Sequence, residues 1–291
     1  MYRYRLERSL GRFSPVGTTV QAAERLPRHL VADEKHTSLA GEKVYLATTA
    51  GSGCCLGMAL AETADKDDLT TAYGVFREEA HHLDPKYRPE TVNTDGWQAT
   101  QAAWRVLFKG VTIILCFLHS FLKIRERAVP MKETFDCLRE RAREAYHAPD
   151  ARSFSQRLRR LREWATDHVD KVVVREEVLT SCNQRRAFLR AYDYPGCCRT
   201  SNLVDRLLRR LDYHLYCTRH LHGTPAAAEQ GLRGWALIHN FAPSCPETVR
   251  ESPELRSPAE RLKGRRYHSE WLQNLLVSAS LGGYRCPPRK K

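Results

Sequence analysis

The chain has 291 residues, of which 42% are hydrophobic and 28% are charged, proportions that are ordinary for a globular protein. The longest apolar run covers only residues 111–118. A membrane-spanning helix needs about 20 apolar residues. This run therefore predicts a buried strand and not a membrane span, and we expect no membrane partner. The N-terminal residues lack the continuous apolar segment of a secretory signal peptide. We therefore expect a cytoplasmic protein.

The charge of the chain is strongly basic, with 47 Lys and Arg against 34 Asp and Glu. Such a surplus favours nucleic acid as a partner, because each neutralised phosphate releases counterions and adds affinity, although a basic protein without that partner has the same composition. The surplus lies mainly in residues 1–30, 123–163 and 256–291. These stretches predict basic surfaces around a neutral core. The ten cysteines, without an export signal, are expected to be reduced thiols.

Strand and helix patterns alternate in the first half of the chain. Periodicity predicts strands at residues 29–35, 44–49, 54–63, 91–95 and 111–118. It predicts helices at residues 69–82 and 98–108. The Gly-Ser-Gly segment at 51–53 indicates a hairpin turn, so the first three strands are expected to form an antiparallel meander. Three such strands followed by helix, strand, helix and strand match the order of the ribonuclease H-like fold.

The fold class that we predict is α/β, with a ribonuclease H-like mixed sheet and an all-helical insertion after the fifth strand. The predicted organisation is a basic N-terminal segment, the core, the insertion, a helical region that closes the core, and a basic C-terminal region, at residues 1–28, 29–121, 122–196, 197–243 and 244–291. Apolar segments at 235–241 and 271–279 are typical of core-closing helices or a dimer surface. The tail from Arg285 is predicted to be disordered.

The segment ETVNTDGWQAT places Asp95 at the end of a short strand, before a glycine and a helix. An aspartate in that position is often only a turn or N-cap residue. The apolar run that follows ends in Cys116-Phe117-Leu118-His119. Together these features resemble the mutator-like superfamily of DDE transposases, which includes many bacterial insertion-sequence enzymes. Cys-x-x-His is also half of a zinc site, but no second pair follows at zinc-finger spacing.

The resemblance can be followed from about residue 29 to 212 and implies three catalytic acids. Asp95 would be the second acid, and Asp33, at the end of the first strand, would be the first. Glu34 should point to the opposite face of that strand, so only one of the two neighbours can face the site. The alternative for Asp33 is a solvated loop carboxylate. His119 would orient DNA or a phosphate, whereas Cys116 would pack.

The third acid is expected on a helix beyond the insertion. Thr200-Ser201-Asn202 is similar to the Thr-Ser-Asn motif of the family, which leads into the helix that carries the last acid. That acid would be Asp205, where many relatives have Glu, and one of the three motif residues would cap the helix. Asp212, seven residues further on the same face, is the alternative acid. Asp205 could also simply be favoured by the helix dipole.

Three carboxylates suit Mg²⁺ or Mn²⁺, because these hard ions take oxygen ligands and retain several waters. Two ions about 4 Å apart would activate a water or a 3′-hydroxyl and stabilise the leaving oxygen. The resemblance thus implies metal-dependent strand cleavage and transfer at transposon ends. A catalytically decayed DNA-binding remnant and a metal-dependent nuclease of the same fold are the alternatives.

The implied partners are transposon ends and target DNA, bound by a homo-oligomer in the bacterial nucleoid. The predicted DNA contacts are Lys123, Arg125, Arg206, Arg209 and Arg210, although charged faces are often merely solvated. Relatives usually begin with a separate helical module that recognises the ends, and here fewer than about 35 residues precede Asp33. The hypothesis therefore includes a truncated copy, or an element that binds DNA through its basic insertion.

Overall fold

A computed structural model describes residues 2–21, 26–250 and 253–283, so the tail predicted to be disordered lies outside the described residues. The chain is an α/β protein with a five-stranded mixed sheet and many helices. It divides into two compact units. The first unit comprises residues 1–90, 97–111 and 202–291, and the second comprises 91–96 and 112–201. None of the described helices has the length and apolar character that crossing a bilayer requires.

The strands of the first unit form an antiparallel meander, as the sequence predicted. They are β1 (His29–Leu39), β2 (Glu42–Gly51) and β3 (Cys54–Ala61). Both connections are two residues long, and all four of their residues have positive φ, at Ala40, Gly41, Ser52 and Gly53. Turns of this kind match the right-handed twist of the flanking strands. The hairpin turn predicted at residues 51–53 is thus confirmed.

One face of the meander is covered by α3 (Lys66–Leu83), and α4 (Gln98–Leu107) packs against α3; the sequence predicted both helices. The contact between them is aromatic: Tyr73 and Phe76 of α3 lie 5.3 Å and 6.1 Å from the ring of Trp104. All three side chains are buried. Aromatic rings contribute large apolar areas, so this cluster fixes α3 and α4 on the sheet.

The other helices of the first unit are α1 (Tyr2–Leu10), α2 (Pro15–Val20), α10 (Asn202–Cys217), α11 (Pro225–Phe241), α12 (Pro258–Lys263) and α13 (Trp271–Gly282). α10 packs on β1 and β2, and α11 packs on β3. The backbones of α1 and α11 approach closely, since a Cβ at Gly234 would lie 1.9 Å from the carbonyl oxygen of Glu7. Residues predicted as a basic N-terminal segment are therefore largely packed helix, and the predicted core-closing segments lie in α11 and α13.

The second unit joins a parallel strand pair to a helical bundle. The strands are β4 (Thr91–Thr94) and β5 (Thr112–Leu115), and the helices are α5 (Phe117–Ala128), α6 (Glu133–Tyr146), α7 (Ala151–His168), α8 (Val172–Asn183) and α9 (Arg185–Leu189). The strand predicted at 111–118 was too long, because Phe117 already begins α5. Its ring packs 5.5 Å from Phe154 and 5.3 Å from Phe188, in the core of the bundle. The helical region thus begins at Phe117 and not at residue 122.

Candidate active site

Asp33 and Glu34 lie next to each other on β1, and their side chains have different surroundings. The Glu34 carboxylate accepts hydrogen bonds from the hydroxyls of Tyr73 (2.5 Å) and Thr100 (2.7 Å), on α3 and α4. Successive side chains of a strand point to opposite faces, so Asp33 faces away from these two helices. Its Oδ1 accepts a hydrogen bond of 3.0 Å from the backbone N–H of Glu34. Only Asp33 is therefore on the side of the sheet that α10 covers.

Asp205 meets Asp33 within the first unit. A carboxylate oxygen of each lies within 4.8 Å of the other, and both residues are half-buried. α10 holds Asp205 there because the adjoining side of the helix buries an apolar row against β1 and β2: Val204, Leu207, Leu208, Leu211 and Leu215. Asp205 is in the first turn of the helix. The two acids that the sequence separates by more than half its length are thus neighbours.

Asp212, the alternative acid, has a different partner. Its Oδ1 lies 2.8 Å from the Nζ of Lys35, which is two residues beyond Asp33 on the same face of β1. Both side chains of this ion pair are partly exposed, at 29% for Lys35 and 48% for Asp212. An exposed pair of this kind contributes at most about 1 kcal/mol. Lys35 thus compensates the charge of Asp212, and Asp205 lies beside the Asp33 carboxylate.

The donor set of Asp33 and Asp205 fits a divalent cation. Mg²⁺ prefers carboxylate oxygens at about 2.1 Å, so two oxygens on one ion can be about 4 Å apart. The separation of no more than 4.8 Å between the two carboxylate oxygens is close to that distance. Two carboxylates this close also repel each other, and a cation between them would offset that repulsion. Asp33 and Asp205 thus offer two oxygen ligands of the kind that a divalent cation takes.

Asp95 lies at the carboxyl end of the parallel strand pair in the second unit. The pair is in register from Thr91 opposite Thr112 to Thr94 opposite Leu115. The backbone N–H of Cys116 donates a 2.9 Å hydrogen bond to the carbonyl of Thr94. After Asp95 the chain turns at Gly96, whose φ is 101°. Carboxyl ends of parallel strands are a common place for functional side chains, so the local geometry suits the predicted role of Asp95.

Cys116 and His119 are linked through Ser201. The Ser201 hydroxyl lies 3.4 Å from the Sγ of Cys116 and 3.0 Å from the Nδ1 of His119, and its backbone N–H donates to the same Sγ at 3.3 Å. Burial raises the pKa of the Cys116 thiol, but the hydrogen bonds with His119 and Ser201 outweigh it and the net pKa is lowered. In the sequence Ser201 is recognisable only as part of the Thr-Ser-Asn motif and as a possible helix cap, so this link could not be predicted.

We had expected the Cys-x-x-His motif to end a strand, and this prediction was wrong. Cys116 immediately precedes α5 and is buried, while His119 lies in the first turn of that helix. Within the described part of the chain, no group of three potential metal ligands includes Cys116. Cys116 is thus buried beside Ser201, and its role as a packing residue stays a prediction.

The five residues predicted to contact DNA are exposed. Lys123 and Arg125 lie on α5 in the second unit, and Arg206, Arg209 and Arg210 lie on α10 in the first. A search of protein-family models and of curated proteins finds no match to the sequence.

Proposed function

We propose that the protein is a DDE-type DNA transposase with a ribonuclease H-like core. The observation that carries the proposal is the pair of carboxylates within 4.8 Å, one on the first strand of a meander and the other in the first turn of the helix packed on it. Asp33 and Asp205 would hold a divalent ion, Mg²⁺ or Mn²⁺. Asp95 would supply the third carboxylate, at the carboxyl end of β4, as the resemblance to the transposases implies.

Two bound ions would activate a water or the 3′-hydroxyl of a DNA strand and would stabilise the leaving oxygen. The protein's own part in this chemistry is to place carboxylates and DNA. α10 sets the reach of Asp205 by packing on β1, and the hydrogen bond between Ser201 and His119 sets the orientation of the His119 ring. We propose that His119 positions a DNA phosphate. The substrates would be transposon ends and target DNA, and a homo-oligomer would bring the ends together.

The function is tested with the full chain and a DNA fragment that carries its coding sequence with both flanks. Incubation with Mg²⁺ or Mn²⁺ should release new 3′-hydroxyl ends, and these ends should become joined to a supercoiled target plasmid. Addition of EDTA should stop both reactions. Cleavage without joining would identify a nuclease of the same fold. DNA binding without cleavage in either metal would identify a catalytically decayed remnant.

We expect the affinity for DNA to fall steeply with salt, because arginine and lysine act through phosphate contacts. Five such contacts correspond to a slope of about −4.5 in log K against log [salt], or a loss of about 500-fold between 50 and 200 mM. Replacing Arg206, Arg209 and Arg210 together by Ala should reduce the slope by about 2.7. Fluorescence anisotropy with labelled DNA measures both values.

The matched control removes three other arginines. Arg139, Arg143 and Arg159 lie on α6 and α7 and pair with Asp136, Glu140 and Glu163 on their own helices. Their replacement by Ala changes the net charge by the same amount but removes guanidiniums that already have acidic partners. The salt dependence should then stay close to that of the wild type. An equal effect of the two triple variants would show that net charge matters and α10 does not.

A further inference from the structure

The exposed side of α10 carries three arginines and two tyrosines, which we call the arginine–tyrosine stripe: Arg206, Arg209, Arg210, Tyr213 and Tyr216. Spacings of three and four residues place these side chains in one row along the helix. Tyr213 is 74% exposed and Tyr216 is 79% exposed. Among the described residues, these are the two most exposed of the large hydrophobic side chains.

The fold does not account for the two tyrosines. The core side of α10 is filled by leucines and a valine, and both tyrosines point the other way. Tyrosine has a lower intrinsic helix propensity than Glu, Lys or Gln, so a solvated helix face gains nothing from it. No acidic side chain of the described residues forms an ion pair with the three arginines. The stripe therefore combines unpaired cations with aromatic rings that contact little of the protein.

We propose that the arginine–tyrosine stripe binds single-stranded DNA, with bases stacked on Tyr213 and Tyr216 and phosphates bound by the arginines. Surfaces that bind single strands combine a basic track with aromatic rings on which successive bases stack. The two tyrosines are about 4.5 Å apart along the helix axis, close to the spacing of about 3.4 Å between neighbouring bases. In a duplex the bases are already stacked on each other, so the rings would have no base face to contact.

The position of the stripe relates it to the carboxylate pair. Arg209 is four residues beyond Asp205, and Tyr216 is four residues beyond Asp212, so both lie next to the side of α10 that faces β1. A strand bound along the stripe would consequently run beside Asp205. This inference rests on the proposed function for its biological meaning. It extends that function by specifying that the DNA beside the site is unpaired.

The test compares a labelled single strand of about 16 nucleotides with a duplex of the same sequence, both in EDTA so that cleavage plays no part. We expect Tyr213→Ala/Tyr216→Ala to weaken single-strand binding by about 25-fold or more, since the loss of one stacked base costs at least about fivefold. Duplex binding should change by less than about twofold. Tyr213→Phe/Tyr216→Phe is the matched control, and it should bind like the wild type because the rings remain.

Several outcomes would overturn the inference. Equal losses on single strand and duplex would show that the tyrosines contact only the backbone, and no loss on either would remove them from DNA binding. Binding of phosphatidylserine vesicles that depends on the two tyrosines, without single-strand binding, would identify a lipid surface as the ligand. Because both side chains are exposed, the Ala variants should unfold at the wild-type temperature, which circular dichroism checks. Absence of cleavage in the transposase assay, with single-strand binding intact, would reject the proposed function. It would not affect the inference that the stripe binds single-stranded DNA.

Discussion

Asp33→Asn and Asp205→Asn should each lower metal-dependent DNA cleavage by at least about 1000-fold, which corresponds to about 4 kcal/mol in the activation barrier. Each change keeps the volume of the side chain and removes the negative charge of a proposed metal ligand. A metal ion contributes several kcal/mol of charge stabilisation to phosphoryl transfer, so the loss should appear in the initial rate. The affinity for DNA should stay within about twofold of the wild type, because phosphates are bound by the basic side chains.

Asp95→Asn should have the same effect if Asp95 supplies the third carboxylate. Asp212→Asn is the matched control on the same helix, since its carboxylate pairs with Lys35 on the surface and should not affect the rate. A loss of cleavage in Asp212→Asn with wild-type rates in Asp205→Asn would show that Asp212, and not Asp205, is the catalytic acid on α10. Retention of cleavage in Asp33→Asn would reject the carboxylate pair as the metal site.

Asp205→Glu extends the same experiment to the difference between this chain and the family it resembles. Many of those enzymes carry Glu at the corresponding place, so the variant should cleave as well as the wild type or faster. An inactive wild type with an active Asp205→Glu would show that the chain is a decayed enzyme, in which one methylene limits the reach of the acid. No cleavage from any variant, with DNA binding retained, would favour the remnant.

The local elements of the first unit could be predicted because each depends on short-range patterns. Strand β2 is rich in β-branched and aromatic residues, β3 is a continuous apolar run, and two-residue turns with positive φ separate the three strands. Helix α3 follows the spacing of Leu69, Ala72, Tyr73 and Phe76, all of them buried. Alternating and helical periodicities are the strongest signals that a single sequence carries.

The boundary between β5 and α5 could not be predicted from the apolar run at 111–118. Ile113 and Ile114 are buried in a strand, while Phe117 is buried in a helix, and both kinds of burial require apolar side chains. Periodicity alone cannot separate a short buried strand from the first turn of a buried helix. For the same reason Cys116 and His119 were placed at the end of a strand, although His119 lies inside α5.

Contacts between side chains that are far apart in the chain could not be predicted from the sequence. The motifs indicated Asp33 and Asp205 as candidate acids, with Asp212 as the alternative to Asp205, but they did not show which side chains these acids contact. Those contacts depend on where α10 lies on β1. One end of the helix places Asp205 beside Asp33, and the other end places Asp212 beside Lys35. Ser201, between Cys116 and His119, is a second contact that only the tertiary structure reveals.

A buried ion pair between α3 and α11 is another such contact. Glu79 and Arg233 are 3% and 5% exposed, and their charged groups are 2.6 Å apart. The Ser14 hydroxyl also donates to Glu79, while Arg233 donates to the carbonyls of Gly11 and Phe13, each at 3.1 Å. The pair therefore joins α3 and α11 to the segment between α1 and α2.

We expect Glu79→Ala to lower the free energy of unfolding by about 3–5 kcal/mol, because it leaves the Arg233 guanidinium buried without its carboxylate. Urea denaturation followed by circular dichroism measures this change. The double variant Glu79→Leu/Arg233→Met should recover most of the loss, since apolar side chains of similar volume can replace a buried pair. Glu163→Ala is the exposed control: its pair with Arg159 has side chains 61% and 72% exposed and should contribute less than about 1 kcal/mol. A loss in Glu79→Ala as small as that of the control would mean that water reaches Arg233, and that the junction between α3 and α11 is held by apolar packing alone.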